Sequence, residues 1–446
     1  MGSEDKVSRR GFLKKSGIAV MGGGVMSAAP SGGAADGGTG PGAQETTIRE
    51  KRTLGRTGFQ VSDIGFGTGN LDNPNVLAVA LDMGINYIDT AEHYVNGQAE
   101  RTVGDVLKDR DRAAIFLTTK LNLNFRPAAK EDIIDRFHRC LERMQTDYVD
   151  CLMIHMTPRA EQVKHEAFHQ AALELKAEGK VRYLGLSNHG IQHSIFGPIE
   201  DSMESVIGAA VGDGRFDVAL FVYNFLQKEQ GERIIDACRT KDMGVTLMKT
   251  DPVGIGAILG DDLVEAQREG RPVSEARERV VRDYQAWVEA ASEFKERHGL
   301  QSATQVRDAA IKFALDHPGV HSVCPTINTF DALEAFVALS GQKLSDADPP
   351  MLASYDELLG RYYCRHACGI CEPTCPRRVP VNTIMRYGHY FHAQGREKQA
   401  IQKYADLSGP TAAGCLDCDG HCEAACPHGV PTRSMLARVH QNLTLA

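Results

Sequence analysis

Ile115-Phe116-Leu117-Thr118-Thr119-Lys120, then the helical pattern Glu131–Met144, then Val149-Asp150-Cys151-Leu152-Met153-Ile154-His155: residues 115–155 spell one strand, one helix and a second strand. The first run opens with three apolar residues, the second is mostly apolar, and both end on a polar side chain. Short runs of this kind suit strands covered on both faces, the condition of a parallel sheet. The pattern continues in both directions. Val61–Thr68 and Tyr87–Thr90 read as strands before it, and Val181–Asn188, Val218–Asn224, Val245–Lys249 and Val320–Ile327 after it. Helical periodicity fills the intervals at His165–Gly179, Gly231–Met243 and Thr304–Asp316. Eight such alternations predict a (β/α)8 TIM barrel, an α/β fold. An open doubly wound sheet would need G-x-G-x-x-G after its first strand, and Gly65-Phe66-Gly67-Thr68-Gly69 is too compact for that. Asp261–Leu300 is a charged, helix-favouring insertion expected to pack on or cover the barrel mouth and to carry no site.

The chain has 446 residues, 42% hydrophobic and 24% charged, ordinary for a globular protein with a sizeable core. A formal charge of −8, with no basic tract among aromatics, argues against a nucleic-acid binder. Eight of the twelve cysteines lie between Cys364 and Cys426. The domains expected are therefore residues 1–45, a barrel over 46–345 and a cysteine-rich tail over 346–446.

Ser8-Arg9-Arg10-Gly11-Phe12-Leu13-Lys14 precedes a weakly apolar stretch, Ser16–Ala29, and resembles a twin-arginine export signal. The apolar stretch is too short to cross a bilayer as a helix, which takes about 20 residues, so no membrane anchor is expected. Pro30–Glu45, rich in Gly and Ala, reads as a linker or as part of the removed segment. Export to the periplasm in a folded, cofactor-loaded form also fits the thiols, which would form disulfides if they arrived there unfolded.

The cysteines fall into two blocks, C-x3-C-x2-C-x3-C-P (Cys364, Cys368, Cys371, Cys375) and C-x2-C-x3-C-x3-C-P (Cys415, Cys418, Cys422, Cys426). Both approximate the two-cluster bacterial ferredoxin run, which points to two [4Fe-4S] clusters rather than to zinc or disulfides. That resemblance implies a crossed ligand set, Cys364, Cys368, Cys371 and Cys426 for one cluster, and Cys415, Cys418, Cys422 and Cys375 for the other. Three-residue gaps at Arg365-His366-Ala367 and Asp419-Gly420-His421 depart from the ferredoxin spacing and leave the assignment open. Cys140, Cys151, Cys238 and Cys324 are scattered and read as buried small hydrophobes.

Barrel enzymes work at the carboxyl ends of their strands. There stand Asp89 and Tyr94, in Asp89-Thr90-Ala91-Glu92-His93-Tyr94, with Lys120 and His155. An ammonium and an imidazole beside a phenol suit it to give a proton to a carbonyl oxygen. At these residues the chain resembles the aldo/keto reductase superfamily, over roughly Thr53 to Gly341. The resemblance includes Arg52-Thr53-Leu54-Gly55-Arg56-Thr57-Gly58, similar to a hairpin that closes the barrel floor, and Gly185-Leu186-Ser187-Asn188. It implies Tyr94 as general acid, Lys120 lowering its pKa, Asp89 pairing with Lys120, and His155 orienting the substrate carbonyl. It implies NADP or NAD as cofactor, near Gly67 and Thr68, with Ser187, Asn188 and Asn224 at the nicotinamide and Lys249 and the following Thr250–Gly254 at the pyrophosphate. Thr326, Asn328 and Glu334 are implied at the adenosine end. Leu220 stands where the family usually has a glutamine, and residues 325–329 offer no cation for a 2′-phosphate. His93 and His189 lack partners at zinc-binding spacing and read as ordinary residues.

The tail from Tyr362 to Pro431 resembles a ferredoxin-like extension found in a bacterial subset of the superfamily, with Val381–Leu407 helical between the blocks. The expected function is reduction of a small carbonyl or sugar-like substrate, or the reverse, with electrons passing between nicotinamide and an outside redox partner through the clusters. The competing expectation is a catalytically idle barrel acting as redox sensor or scaffold, its clusters structural.

Overall fold

The computed structural model describes residues 46–123, 128–189, 201–253, 275–366 and 368–444. The proposed export signal, Gly254 and the first part of the insertion, residues 261–274, lie outside them. Strands β1 (Lys51–Thr53) and β2 (Gln60–Ser62) form an antiparallel hairpin. Eight parallel strands follow in sequential order: β3 (Phe66–Gly67), β4 (Tyr87–Asp89), β5 (Phe116–Leu121), β6 (Val149–Ile154), β7 (Val181–Asn188), β8 (Val218–Val222), β9 (Gly244–Met248) and β10 (Ser322–Val323). The sheet closes on itself where parallel bridges join Ile64 to Val323 and Gly67 to Thr326. Backbone bonds seal the seam, Gly65 N to Val323 O and Gly67 N to Pro325 O, both 2.8 Å. A Cβ on Gly67 would stand 2.9 Å from that Pro325 oxygen, so the seam closes this tightly only with glycine there.

The expected barrel is present, with two shifts. The run Val61–Thr68 is two elements: its first residues belong to the hairpin, and only Phe66–Gly67 enters the barrel. The chain bends between them at Asp63, whose buried carboxylate accepts from Ser340 Oγ at 2.6 Å and Gly341 N at 2.8 Å. The last run, Val320–Ile327, is regular strand only over Ser322–Val323; Pro325 has no N–H to offer a ladder, and beyond it Thr326 keeps a single bridge to Gly67. The remaining strands match to within two residues. Helices at Lys130–Met144, Glu166–Ala177, Lys228–Arg239 and Thr304–Asp316 stand where the periodicity predicts them.

The barrel interior and the inner faces of its helices form one continuous apolar core. Toward the floor Phe116 stacks on Tyr87 and Tyr183, with ring centroids 5.7 and 6.0 Å apart. Helix Asp348–Leu359 packs with Phe225, Phe294, Val306 and Ala310 in a separate cluster on the barrel flank. A third core, built on Val381, Ile384, Leu436 and Val439, holds the cysteine-rich tail together. The single helix expected over Val381–Leu407 is two, Val381–Gln394 and Glu397–Ala405, divided at Gly395, which takes the left-handed conformation at φ 58°. Residues 46–446 form one compact unit.

The tail sits on the carboxyl ends of the barrel strands. Gln227, just beyond β8, donates to His366 O at 2.7 Å and accepts from His366 N at 2.9 Å. Arg365 Nε donates to Leu226 O at 3.2 Å, and the Asn70 and Gln399 amides meet at 2.6 Å. The described part of the insertion is helix Glu275–His298. It leans on the tail: Arg279 Nη2 donates to Leu416 O at 2.6 Å, and the Ser434 hydroxyl donates to Asp283.

Asp150 on β6 is the most heavily used buried carboxylate of the wall, accepting from Leu117 N at 2.9 Å, Arg112 Nη2 at 2.8 Å and Arg182 Nη1 at 2.9 Å. Asp150→Ala leaves the buried Leu117 N–H without its acceptor and takes the counter-ion from half-exposed Arg182 and from Arg112, which keeps the Ile115 and Tyr148 carbonyls. Its unfolding free energy should fall by about 3 kcal/mol, read as a lower urea midpoint.

Candidate active site

Lys120 lies in β5 with its side chain fully buried, and an ammonium in that position needs acceptors for its three protons. Nζ donates to Asp89 Oδ1 at 2.6 Å and to Thr90 O at 2.7 Å. It also reaches the Tyr94 hydroxyl at 3.4 Å and stands 4.8 Å from that ring's centroid. Tyr94 opens a short turn, Tyr94–Gly97, in which Val95 and Asn96 are left-handed at φ 50° and 55°. Such backbone is unfavourable outside glycine and asparagine and is typical of sites where a side chain must be aimed. His155 follows β6, its ring edge-on to Tyr94 with centroids 5.6 Å apart. Asp89, Tyr94, Lys120 and His155 are thus brought together as expected.

Burial works against the charge on Lys120, yet the Asp89 carboxylate and the Tyr94 phenol hold its pKa above the ordinary value, so the ammonium persists. His155 is driven well below its usual range by burial and by the Lys120 cation, which keeps the imidazole neutral. For Tyr94 removal from solvent is the larger influence and pushes its pKa up to about 12; Lys120 opposes the rise without cancelling it. A phenol held there stays protonated across the physiological range and is a donor rather than a base.

The residues expected at the cofactor are arranged around the same mouth. Ser187 and Asn188 end β7: Ser187 Oγ accepts from Met156 N at 3.0 Å, and Asn188 Nδ2 donates to Thr157 O at 2.8 Å. Asn224, beyond β8, donates to Lys249 O at 3.0 Å and accepts from Leu226 N at 3.1 Å. Tyr223 beside it points away from the barrel lumen and packs on Phe313 and His317. Leu220 is buried within β8. Gly67 and Thr68 line the seam, Thr68 Oγ1 donating to Asp89 O at 3.0 Å. Thr326 is exposed, Glu334 is exposed on helix Phe330–Ala338, and Asn328 keeps a buried Oδ1 without a partner. An unpartnered buried amide oxygen calls for a donor, such as a ligand hydroxyl or amino group. Lys249, left-handed at φ 57°, carries its ammonium 5.6 Å from the Tyr390 ring centroid, against the tail.

The cysteines of the tail are free thiols around two cavities. Cys364, Cys368, Cys371 and Cys426 line one; Cys375, Cys415, Cys418 and Cys422 line the other. Three thiols of one block and the last of the other thus share each cavity. Donors already point at sulfur: Asn382 Nδ2 to Cys364 at 3.3 Å, Val379 N to Cys375 and Gly420 N to Cys418, both 3.4 Å. Burial, and next the neighbouring thiols, push Cys364 and Cys415 up to about 12. Four thiolates cannot crowd into such a space without a compensating cation. Among the described residues no three His, Cys, Asp or Glu side chains are grouped tightly enough for a single metal ion. Of the scattered cysteines, Cys140, Cys151 and Cys238 are buried as expected, whereas Cys324 is only partly so.

Two histidines read as ordinary belong to the site. His93 stacks on His155 with centroids 4.7 Å apart, and His189 lies 5.9 Å from His155. The ring of His366, inside the first cysteine block, is a further 6.4 Å from His189. Nδ1 of His155, Nε2 of His189 and both ring nitrogens of His366 are buried without partners. Their adjacency to Tyr94, Asn188 and the cysteines was the sequence signal for them.

Residues 63–357 match the aldo/keto reductase family. Aldo-keto reductase YhdN of Bacillus subtilis is 25% identical over 318 residues, 67% of this chain and 91% of that protein. The NADH-specific methylglyoxal reductase of Escherichia coli K12 is 24% identical over 355 residues, 70% of this chain and all of the relative. Among solved structures, the holo form of aldo-keto reductase AKR11C1 from Bacillus halodurans superposes with a TM-score of 0.51 at 23% identity, over 68% of this chain and 95% of its own, a likeness of fold. With two thirds of its length matched to that family, on a barrel of the family's kind, the chain belongs to the aldo/keto reductases and is an NAD(P)-dependent oxidoreductase.

Proposed function

We propose that this enzyme reduces the carbonyl of a small aldehyde or ketone, of the size of methylglyoxal, and oxidises the corresponding alcohol in reverse. The contact of Lys120 with both Asp89 and Tyr94 carries the reading. A reduced nicotinamide, when bound, supplies the hydride. Tyr94 gives its hydroxyl proton to the carbonyl oxygen as charge builds there, and neutral His155 holds that oxygen in reach. Lys120, fixed by Asp89, favours the phenolate that Tyr94 becomes. Ser187, Asn188 and Asn224 are the residues to hold the nicotinamide; Gly67, Thr68, Lys249, Thr326 and Asn328 face its phosphates, and Glu334 the adenine. Residues 325–329 carry no cation, so NADH and NADPH are both to be tried. Methylglyoxal is chosen because relatives named for its reduction recur among the matches, from Salmonella as well as Escherichia coli. The idle-barrel reading has no observation in its favour, since all four side chains are in contact.

The same proposal gives the tail two [4Fe-4S] clusters, one per cysteine-lined cavity with the crossed ligand sets above. They would staple a small domain and carry single electrons. Electron exchange with nicotinamide, and onward to an external partner, is supported by the imidazole series His155, His189, His366, which ends between Cys364 and Cys368. The export proposal rests on the Ser8–Lys14 run alone and makes the enzyme periplasmic.

Tyr94→Phe should lower kcat/KM for methylglyoxal reduction by roughly three orders of magnitude while NADPH still binds, measured by fluorescence titration. In the wild type, reduction should be flat between pH 6 and 9, because the phenol stays protonated up to its raised pKa of about 12. Alcohol oxidation needs the phenolate and should climb with pH over the same range; a plateau near pH 7 would remove Tyr94 as the titrating group.

Anaerobically purified protein should hold about eight iron atoms per chain, and Cys426→Ser about half. A reduced-cluster paramagnetic signal on adding NADPH would support electron exchange, and a signal only with dithionite would assign the clusters a structural role. Iron near one atom per chain would sink both. Finally, replacing Arg9 and Arg10 by Lys should leave a periplasmic reporter fused to the first 45 residues in the cytoplasm; unchanged export would rule the signal out.

A further inference from the structure

Helix Glu275–His298 does not lie flush on the tail. Between it, helix Asp348–Leu359 and the tail helices Val381–Gln394 and Thr432–Leu443 is a cleft that opens to solvent. None of the four residues around Tyr94 lines it, and of the segment expected at the cofactor pyrophosphate only Pro252 does. One side is aromatic. Trp287 stacks on Tyr362 with centroids 5.7 Å apart and planes 21° from parallel, and Tyr284 meets Trp287 edge-on at 6.4 Å. Aromatic clusters of this kind take up flat, conjugated molecules against their ring edges and remaining faces.

Two guanidinium groups lie on the wall as well, Arg438 among the rings themselves. Arg386 is 6% exposed and donates from Nη2 to the Tyr363 hydroxyl at 3.0 Å, but its Nε is buried with no acceptor. Arg438 lies over the Tyr284 ring, 4.1 Å from its centroid, also on the cavity wall. The carboxylate on the wall, Asp283, is taken up by the Ser434 hydroxyl. A desolvated guanidinium with a free N–H beside an aromatic cleft is satisfied by an oxygen acceptor, best a charged one. Cys364 lines both this cavity and the first cysteine-lined one, so an occupant would lie against a residue of the first quartet.

We propose that this cavity binds a planar conjugated molecule bearing an anionic or quinone-type oxygen, its rings against Trp287 and Tyr362 and its oxygen accepting from Arg386. The site is distinct from the carbonyl site, and either stands if the other fails.

The test titrates the iron-loaded full-length protein with anthraquinone-2-sulfonate by calorimetry, following Trp287 emission in parallel. Trp287 is the one tryptophan of the chain, so its quenching reports this wall alone. One site per chain is expected, with quenching that saturates at the same concentration as the heat. Arg386→Gln should weaken binding by about tenfold. Ala393 lies half-buried on the cavity wall, and Ala393→Phe should fill the space and abolish binding while iron content and carbonyl reduction are kept. The absence of saturable binding to the wild type, or wild-type affinity in Ala393→Phe, would overturn the proposal whatever Arg386→Gln does to folding.

Discussion

A fully buried ammonium is tolerable only where the backbone brings acceptors to it, and the top of this barrel is organised around that requirement for Lys120. Strands β4 and β5 run parallel with Asp89 beside Thr118, which sets Lys120 one step higher and lets its side chain fold back onto the carboxylate. The Thr90 carbonyl takes the second proton and Tyr94 is left in range of the third. Closure of the seam at Gly67 keeps this end of the sheet in register, through Thr68 bonded to Asp89. The positions of acid, cation and imidazole thus follow from strand geometry, and only the phenol arrives on a turn, one whose backbone is unfavourably left-handed.

The competition between burial and charge at Tyr94 has a clear winner. An adjacent ammonium alone would lower a phenol's pKa, as expected from sequence; the enclosed site raises it instead. The two effects are not redundant. Burial keeps the proton on until substrate needs it, and Lys120 eases the charge left behind. Such an arrangement favours the reductive direction near neutral pH.

Much of the fold was legible because parallel strands covered on both faces read as unbroken apolar runs, and Val181–Asn188 and Thr304–Asp316 came out with the bounds seen. The reading failed where local pattern does not decide. Val61–Thr68 was read as one run although Ser62-Asp63 interrupts it, and that polar pair marks the bend between the hairpin and the barrel strand. Val320–Ile327 was overextended because propensity ignores the missing N–H of Pro325. At the site, the four strand-end residues were visible from their order, but His93 and His189 were not: their significance lies in rings contributed by β6 and by the tail. The crossing of the two cysteine blocks was implied by resemblance, and the packing of Ile384, Leu436 and Val439 is what brings the fourth thiol to each set. The insertion, expected to carry no site, walls the cleft beside the tail helices, a role that depends on what it faces and not on its own pattern.

The reciprocal bonds between Gln227 and His366 make the first cysteine loop part of the barrel's rim. That loop is also where, on the proposal above, the first cluster is inserted. The rim is finished only when residues more than a hundred positions later in the chain have folded against it. If that loop holds the proposed cluster, maturation of the catalytic mouth is tied to the supply of iron and sulfide.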